Sequence, residues 1–196
     1  MNYIYIMEKA YFEAKVFDAN PGEPYTLNPG EYEQCTFNNL DLNGSNLSGF
    51  NFINCIFNAC NLGNATLNKT SLIDVAFNGC KMVGLHFDTC NDFLFTPRFG
   101  HCILDYSSFH KRNLKKTVFS HCSMLEVDFE EADLSGLVLE YCNMAGALFS
   151  NTNLEKTDLG TAYNYSIDPE KNRLKKARFS MNGIAGLLEK YDIVIE

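Results

Sequence analysis

The sequence predicts an all-β protein whose chain coils through four-sided turns that stack as short parallel strands. Three observations support this fold. A large apolar residue stands at every fifth position in two long runs. A small residue usually stands two positions before it, and residues of one kind recur 20 positions apart. A fixed internal period determines the architecture more directly than local propensity does.

The period of five fits neither a helix nor an isolated strand. Helices need apolar spacings of three and four, and strands need alternation. A chain that turns one corner per repeat closes a square coil after four repeats, and each coil contacts only its neighbours. The large residues are Tyr32, Phe37, Leu42, Leu47, Phe52, Phe57, Leu62, Leu67, Leu72, Phe77, Met82, Phe87, Leu104, Phe109, Leu114, Phe119, Met124, Phe129, Leu134, Leu139, Met144, Phe149, Leu154 and Leu159.

Residues 20 apart should lie directly above one another, and alternating small and large side chains would fill the narrow interior. The predicted columns are Phe37, Phe57 and Phe77; Phe109, Phe129 and Phe149; and Cys102, Cys122 and Cys142.

We expect a single domain, 1–196, because the repeat is long enough to bury a core. Its predicted parts are an irregular first coil (12–31), a first run (32–87), a break in phase (88–103), a second run (104–159) and a C-terminal cap with a dimerisation helix (160–196). About six and a half coils, at roughly 4.8 Å per strand, would make a rod of about 31 Å.

The two runs are out of phase by two residues, which predicts either a bulge or a short loop near 88–93. Leu94 and Phe99 follow the second phase, so we expect both to point inward. Arg112 occupies the column of small residues. A charge at that position predicts a local bulge or an exit of the side chain to solvent.

The tail after Leu159 predicts a cap. Ser180 is placed to cap a helix over 181–190. A solenoid must cover the open strand edges of its last coil. One face of this helix is also the predicted interface of a two-fold homodimer. Its residues are Ile184, Leu187, Leu188 and Tyr191.

Seven of the eight cysteines stand in the column of small residues, and we expect them to be reduced core residues. Cys90, in the break, is expected to be the exposed exception.

His101 and His121 should stack on an outer face, where two imidazoles alone would hold a metal only weakly. His86 and His110 show no partner. We find no nucleophile–base pairing, phosphate loop or metal motif, and expect no enzymatic activity, metal or cofactor.

The chain carries a net charge of −8. A basic stretch, Lys111 to Lys116, precedes an acidic one in the second run. An acidic protein is not a natural ligand of nucleic acid, but it can approach a basic groove that normally holds DNA. The N-terminal stretch predicts neither a signal peptide nor a membrane span, so we expect a cytoplasmic protein. The candidate partner-binding residues are Glu126, Asp128, Glu130, Glu131, Asp133 and Glu140.

The repeat resembles that of the pentapeptide-repeat family over about residues 30–160. This resemblance implies a right-handed quadrilateral parallel β-helix. The matching triplets are Ser45-Asn46-Leu47, Cys60-Asn61-Leu62, Ala132-Asp133-Leu134, Cys142-Asn143-Met144, Thr152-Asn153-Leu154 and Thr157-Asp158-Leu159.

The tail resembles that of family members that confer quinolone resistance or immunity to gyrase-poisoning peptides. The similar segments are Asn164-Tyr165, Ile167-Asp168 and Ala177-Arg178-Phe179-Ser180. The resemblance implies a homodimer that mimics DNA and binds type II topoisomerases, namely DNA gyrase and topoisomerase IV. The alternative is a structural or protein-interaction scaffold of unassigned role. One continuous acidic face would favour the first hypothesis, and scattered acidic residues would favour the second.

Overall fold

The computed structural model describes residues 10–19 and 24–194. Residues 20–23 of the predicted first coil, and the N-terminal stretch before residue 10, lie outside the described residues. The chain winds into a parallel β-solenoid of about eight turns, which confirms the predicted fold. The strands are β1 Ala10–Glu13, β2 Val16–Asp18, β3 Gly30–Glu33, β4 Thr36–Asn38, β5 Asn51–Ile53, β6 Ile56–Asn58, β7 Ser71–Ile73, β8 Ala76–Asn78, β9 Arg98–Gly100, β10 Val118–Ser120, β11 Leu139–Glu140, β12 Asp158–Leu159 and β13 Arg178–Phe179. Short 3₁₀ helices cover Phe87–Thr89, Ile184–Leu187 and Glu189–Tyr191.

The solenoid has four faces, which we number in chain order. Face 1 carries the sheet β1-β3-β5-β7, and face 2 carries the sheet from β2 to β11 and the pair β12-β13. Face 3 is a ladder of single bridges that includes Ile103, Ser123 and Asn143. Face 4 is the ladder that includes Ser108, Asp128 and Leu148. Every pairing between strands is parallel, so each residue lies above the one a full coil earlier.

A left-handed backbone conformation at most corners turns the chain from one face to the next. The residue two positions after an inward large residue usually has a positive φ, as at Asn54 (φ 53) and Glu131 (φ 56). Such a conformation is uncommon for residues other than glycine, asparagine and aspartate. The polar and glycine-rich residues at these positions therefore follow from the turn itself.

Stacked phenylalanine rings fill the axis, as predicted. The rings of Phe37 and Phe57 are 4.3 Å apart, and those of Phe57 and Phe77 are 5.0 Å apart. In the second column Phe109, Phe129 and Phe149 follow one another at 5.5 Å. Offset stacking at these separations adds to the burial of apolar area.

The cysteines line the inner corners, and all eight are free thiols. The Cys102 and Cys122 thiols lie 3.3 and 3.5 Å from carbonyl oxygens of the preceding coil. The prediction for Cys90 is wrong, because this residue is buried as well. Burial raises the pKa of the Cys90 thiol to about 12, although the charge of Arg112 acts in the opposite direction.

The break in phase is a two-residue bulge on face 1. Before it, the Asn91 side chain still bonds Ser71, 20 residues earlier. After it, the Asp74 amide donates to the Thr96 hydroxyl, 22 residues later. The two extra residues therefore lie between Asn91 and Thr96. Across the bulge the columns are joined at a spacing of 22, so that Phe77 stacks on Phe99 at 5.4 Å. Beyond it the spacing returns to 20, as between Phe99 and Phe119.

The bulge changes which side chain points inward. Leu94 was expected in the core, but it is half exposed with a φ of 51°. Phe95 is buried in its place, while Phe93 and Leu94 project into solvent. Phe99 is buried, as predicted.

Arg112 does not leave the core. Its side chain is only 4% exposed, and its guanidinium donates to the carbonyl oxygens of Cys90 and Asn91, each at 3.1 Å. It also lies 4.2 Å from the centre of the Phe95 ring and pairs with Asp92. The prediction of a bulge or an exit to solvent at Arg112 is wrong. The bulge lies in the preceding coil, and the Cys90 and Asn91 carbonyl groups of that coil accept hydrogen bonds from the buried cation.

The solenoid is longer than the regular repeat predicted. Strands β1 and β2 extend it at the start, and β13 pairs with β12 twenty residues beyond. Ala162 and Ile167 are buried like the core residues before them. About eight turns at roughly 4.8 Å each give a rod of about 38 Å.

The predicted C-terminal α-helix is absent. Over 181–192 the backbone bonds join residues three apart, as in Gly186 to Gly183 and Tyr191 to Leu188. Ser180 does cap this segment, because its hydroxyl accepts the Gly183 amide at 3.0 Å. Glycine costs about 1 kcal/mol relative to alanine inside an α-helix. Gly186 also packs so closely on the Tyr165 carbonyl that a side chain would clash there.

Ion pairs hold this cap on the last turns. The Lys190 ammonium lies 2.7 Å from Asp168 and 2.9 Å from Glu170. Hydrogen bonds from Lys190 lower the pKa of both carboxyl groups. The Tyr191 hydroxyl also donates to Glu170, at 3.3 Å.

Among the described residues, no helix is both long and apolar enough to cross a membrane.

Truncation of a core ring should destabilise the rod. Phe129 is fully buried in its column, so Phe129→Ala should lower the free energy of unfolding by about 3–5 kcal/mol. Val138 is 57% exposed on face 2, and Val138→Ala should change that energy by less than about 0.5 kcal/mol. Urea titrations followed by far-ultraviolet circular dichroism would measure both. Equal losses would contradict the stacked core.

The two partners of the Arg112–Asp92 pair should differ in their contribution to stability. Arg112→Leu leaves one buried and one partly buried carbonyl group without this donor and should cost about 2–4 kcal/mol. The Asp92 side chain is 96% exposed, so water reaches its carboxylate, and an asparagine there keeps an oxygen acceptor for the guanidinium while both carbonyl partners remain. Asp92→Asn should therefore be nearly neutral in the same titration. An Arg112 side chain in solvent would make both changes small.

Candidate partner-binding surface

Four of the predicted acidic residues form one ridge along face 4 and its two corners. Asp128 and Glu130 flank the buried Phe129 on the face itself. Glu126 lies at the corner with face 3, and Glu131 at the corner with face 1, both with positive φ. We call these four carboxylates the acidic ridge.

The ridge is only partly neutralised by neighbouring cations. Lys111 lies 3.5 Å from Glu131, and both side chains are well exposed. A pair of this kind contributes little stability and is screened by salt. Within the described part of the chain, Glu126 and Glu130 take part in no ion pair. The ridge therefore presents net negative charge to a partner.

Two predicted residues lie away from the ridge. Asp133 is on face 1, where Lys115 approaches it to 2.9 Å. Partial burial acts to raise the pKa of the Asp133 carboxyl, but hydrogen bonds with Lys115 and Ser135 outweigh it and lower that pKa. Glu140 is on face 2, opposite face 4, and accepts a hydrogen bond from Ser120 at 2.7 Å. The six candidates thus form a cluster of four and two separate sites.

A groove runs from the ridge to the C-terminal cap. Its volume is about 570 Å³, and Glu130 and Leu148 form the wall on face 4. Asp168 and Glu189 line the side of the cap, together with the ammonium-bearing Lys171. Asp168 is paired with Lys190, so this groove, which we call the cap groove, adds little net negative charge to that of the ridge.

The profile of the Pentapeptide repeats family matches eight copies of its repeat in the chain. The matched ranges are 35–72, 55–91, 102–140 and 128–162, which together cover more than half of the chain. The chain belongs to the pentapeptide-repeat family. A comparison with curated protein sequences gives no significant match.

Solved structures of pentapeptide-repeat proteins are similar to the whole chain. Two trypsin-treated variants of QnrB1, a plasmid-mediated fluoroquinolone resistance protein, superpose with TM-scores of 0.62 and 0.60. They are 20% and 21% identical, and each match covers 96% of this chain and 99% of that chain. HetL, a pentapeptide repeat protein of the cyanobacterium Nostoc involved in heterocyst differentiation regulation, has a TM-score of 0.41 at 12% identity, covering 90% of this chain and 87% of that chain. At 20% and 21% identity, the similarity to the two QnrB1 variants shows the fold.

In this pentapeptide-repeat protein the predicted dimer residues do not share one helical face. A 3₁₀ helix places residues three apart above one another, so Ile184 and Leu187 form one row while Leu188 and Tyr191 form another. Leu187 packs against the core of its own chain. Ile184 and Tyr191 remain exposed, at 38% and 53%.

Two surface features escaped the sequence-based predictions. Phe93 is 67% exposed at the tip of the bulge, and its neighbour Leu94 lines a shallow pocket with the basic side chains of Lys115 and Lys116. His110 lies with its Nδ1 4.0 Å from the Asp128 carboxylate, although the sequence showed no partner for it. The spacing of 18 between His110 and Asp128 could have revealed the second feature, because it joins neighbouring coils across one face.

Proposed function

We propose that this chain is a non-enzymatic binding protein that protects or regulates DNA gyrase and topoisomerase IV by presenting an acidic rod in place of DNA. The acidic ridge is the observation that carries this proposal, because it concentrates four carboxylates on one face of a rigid solenoid and the two corners of that face. Type II topoisomerases bind DNA through basic surfaces, and charge complementarity would guide a rod of this sign toward them. The proposal assigns the protein to the cytoplasm, where these enzymes act.

Two further observations support this function. The fold is similar over nearly the whole chain to that of a fluoroquinolone resistance protein. The tail segments that resemble those of quinolone-resistance and immunity members form the last turns and the cap, including Ile167 at the cap contact. The cap groove joins the ridge to this region, so the ridge and the cap would meet a partner together.

The alternative, a scaffold for another protein partner, is favoured by a different observation. Asp133 and Glu140 lie on faces 1 and 2, so the acidic residues are not confined to one face. Faces 2 and 3 also expose apolar side chains, among them Val138 and Tyr163, at 57% and 48%. Surfaces of that composition suit protein partners of no particular charge.

A supercoiling assay with DNA gyrase and a fluoroquinolone tests the proposed function. The purified protein should restore supercoiling at low concentration or inhibit the enzyme at high concentration. The triple variant Glu126→Gln, Glu130→Gln, Glu131→Gln should need about tenfold more protein for either effect, since steering by charge changes association rates by about 10- to 1,000-fold. The absence of any effect of the wild type at every concentration would contradict the proposal for that gyrase.

A matched variant separates the ridge from overall charge. Glu31→Gln, Glu33→Gln and Glu140→Gln remove the same number of charges from faces 1 and 2. This variant should act like the wild type in the supercoiling assay. An equal loss in both triple variants would show that net charge, and not the ridge, determines the effect.

The dimer remains part of the proposal, and its proposed interface is the surface of the cap formed by Ile184, Leu188 and Tyr191. Ile184→Asp combined with Leu188→Asp places two charges on this surface and should convert a dimer into monomers in sedimentation equilibrium. Leu187 is unsuitable for this test because it packs on its own core. Val138→Asp, on the exposed part of face 2, serves as the control and should leave the dimer intact. A monomeric wild type, or an unchanged dimer in the double variant, would rule out this interface.

A further inference from the structure

Three side chains of the type that binds metal ions converge on face 4. His110 belongs to one coil, and Asp128 and Glu130 belong to the next. One ligand atom from each of the three lies within 4.8 Å of the other two. The bridge between Ser108 and Asp128 sets this register, so the His110 imidazole lies directly below the Glu130 side chain.

The backbone holds these side chains in place. Asp128 Oδ1 accepts the Glu130 amide at 2.8 Å, which leaves Oδ2 on the side of His110 and 3.4 Å from the Ser108 hydroxyl. Phe109 and Phe129, next to the ligands in sequence, are fully buried and stacked at 5.5 Å. The spacing between the two coils is therefore fixed by the core and not by the surface side chains.

We propose that His110, Asp128 and Glu130 form a site for a divalent transition-metal ion such as Zn²⁺. One imidazole and two carboxylates suit a borderline metal, whereas Mg²⁺ and Ca²⁺ prefer oxygen ligands throughout. Zn²⁺ binds such ligands at about 2.0–2.2 Å, so the three donors must move closer by rotation of their side chains. The His110 and Asp128 side chains are 34% and 30% exposed, which leaves them room for this motion. Water completes the coordination.

Binding at this site would change the surface in two ways. The ion would neutralise the charge of Asp128 and Glu130, half of the acidic ridge. It would also join two neighbouring coils through their side chains, because His110 comes from one coil and both carboxylates from the next. The site itself does not depend on the topoisomerase partner, since its ligands all come from this chain.

The stacked pair of His101 and His121 is the internal comparison. Their rings are 4.8 Å apart on the corner between faces 2 and 3. The His121 Nδ1 is 2.9 Å from the Ser120 hydroxyl, which in turn donates to Glu140. No carboxylate completes a three-ligand set there within the described residues.

Isothermal titration calorimetry with Zn²⁺ alone, on protein without a histidine tag, tests the site. The wild type should bind one ion, and His110→Ala and Glu130→Gln should each weaken binding at least about tenfold. His121→Ala, a matched loss of a surface histidine, should leave the affinity unchanged, as should Glu131→Gln beside the site. Mg²⁺ should give no comparable binding.

Thermal unfolding of the same proteins provides a second measurement. Zn²⁺ should raise the melting temperature of the wild type and of His121→Ala, but not that of His110→Ala, because only a ligand of the folded state stabilises it. Circular dichroism should show that every variant retains the fold without metal. Absence of saturable binding to the wild type would overturn the proposal. So would binding that survives His110→Ala and is lost in His121→Ala.

Discussion

The parallel hydrogen bonds between successive coils are the constraint on which the rest of this structure depends. They hold each coil at the strand spacing of roughly 4.8 Å, so every residue lies above the one a full turn earlier. Residues of one type that recur one coil apart therefore stack on each other, both in the core and on the surface. Phenylalanine columns, thiol columns and stacked histidines are all consequences of this register.

The same register explains how much the sequence could predict. The columns headed by Phe37 and Phe109 follow from arithmetic on positions, because backbone geometry alone determines them. The position of Arg112 does not, since its burial depends on the Cys90 and Asn91 carbonyl groups of the bulged coil, which accept its guanidinium. The prediction that Cys90 is exposed failed because this residue also belongs to the bulged coil. The cap was predicted from apolar spacing, but spacing does not reveal that Gly186 must pack on the Tyr165 carbonyl.

The candidate surface, too, could be predicted from the sequence only in part. The acidic stretch was visible in the sequence, and its register places four carboxylates along face 4. What sequence order concealed is that neighbours along the chain can lie on opposite sides of the rod, as Glu130 and Glu140 do. Conversely, His110 and Glu130 are 20 residues apart and meet. In a solenoid, charge patterns must be analysed by column before they indicate a surface.

The bulge and the buried arginine have a consequence for how this chain can change over generations. Deleting the two extra residues would restore the spacing of 20 but change the turn that directly follows Cys90 and Asn91, whose carbonyl groups hold the Arg112 guanidinium in an interior where an unpaired charge is costly. Replacing Arg112 first would leave the bulged carbonyl groups unsatisfied. The insertion and the arginine therefore constrain each other, and a related chain with a regular spacing at this turn should carry a small residue at the position of Arg112.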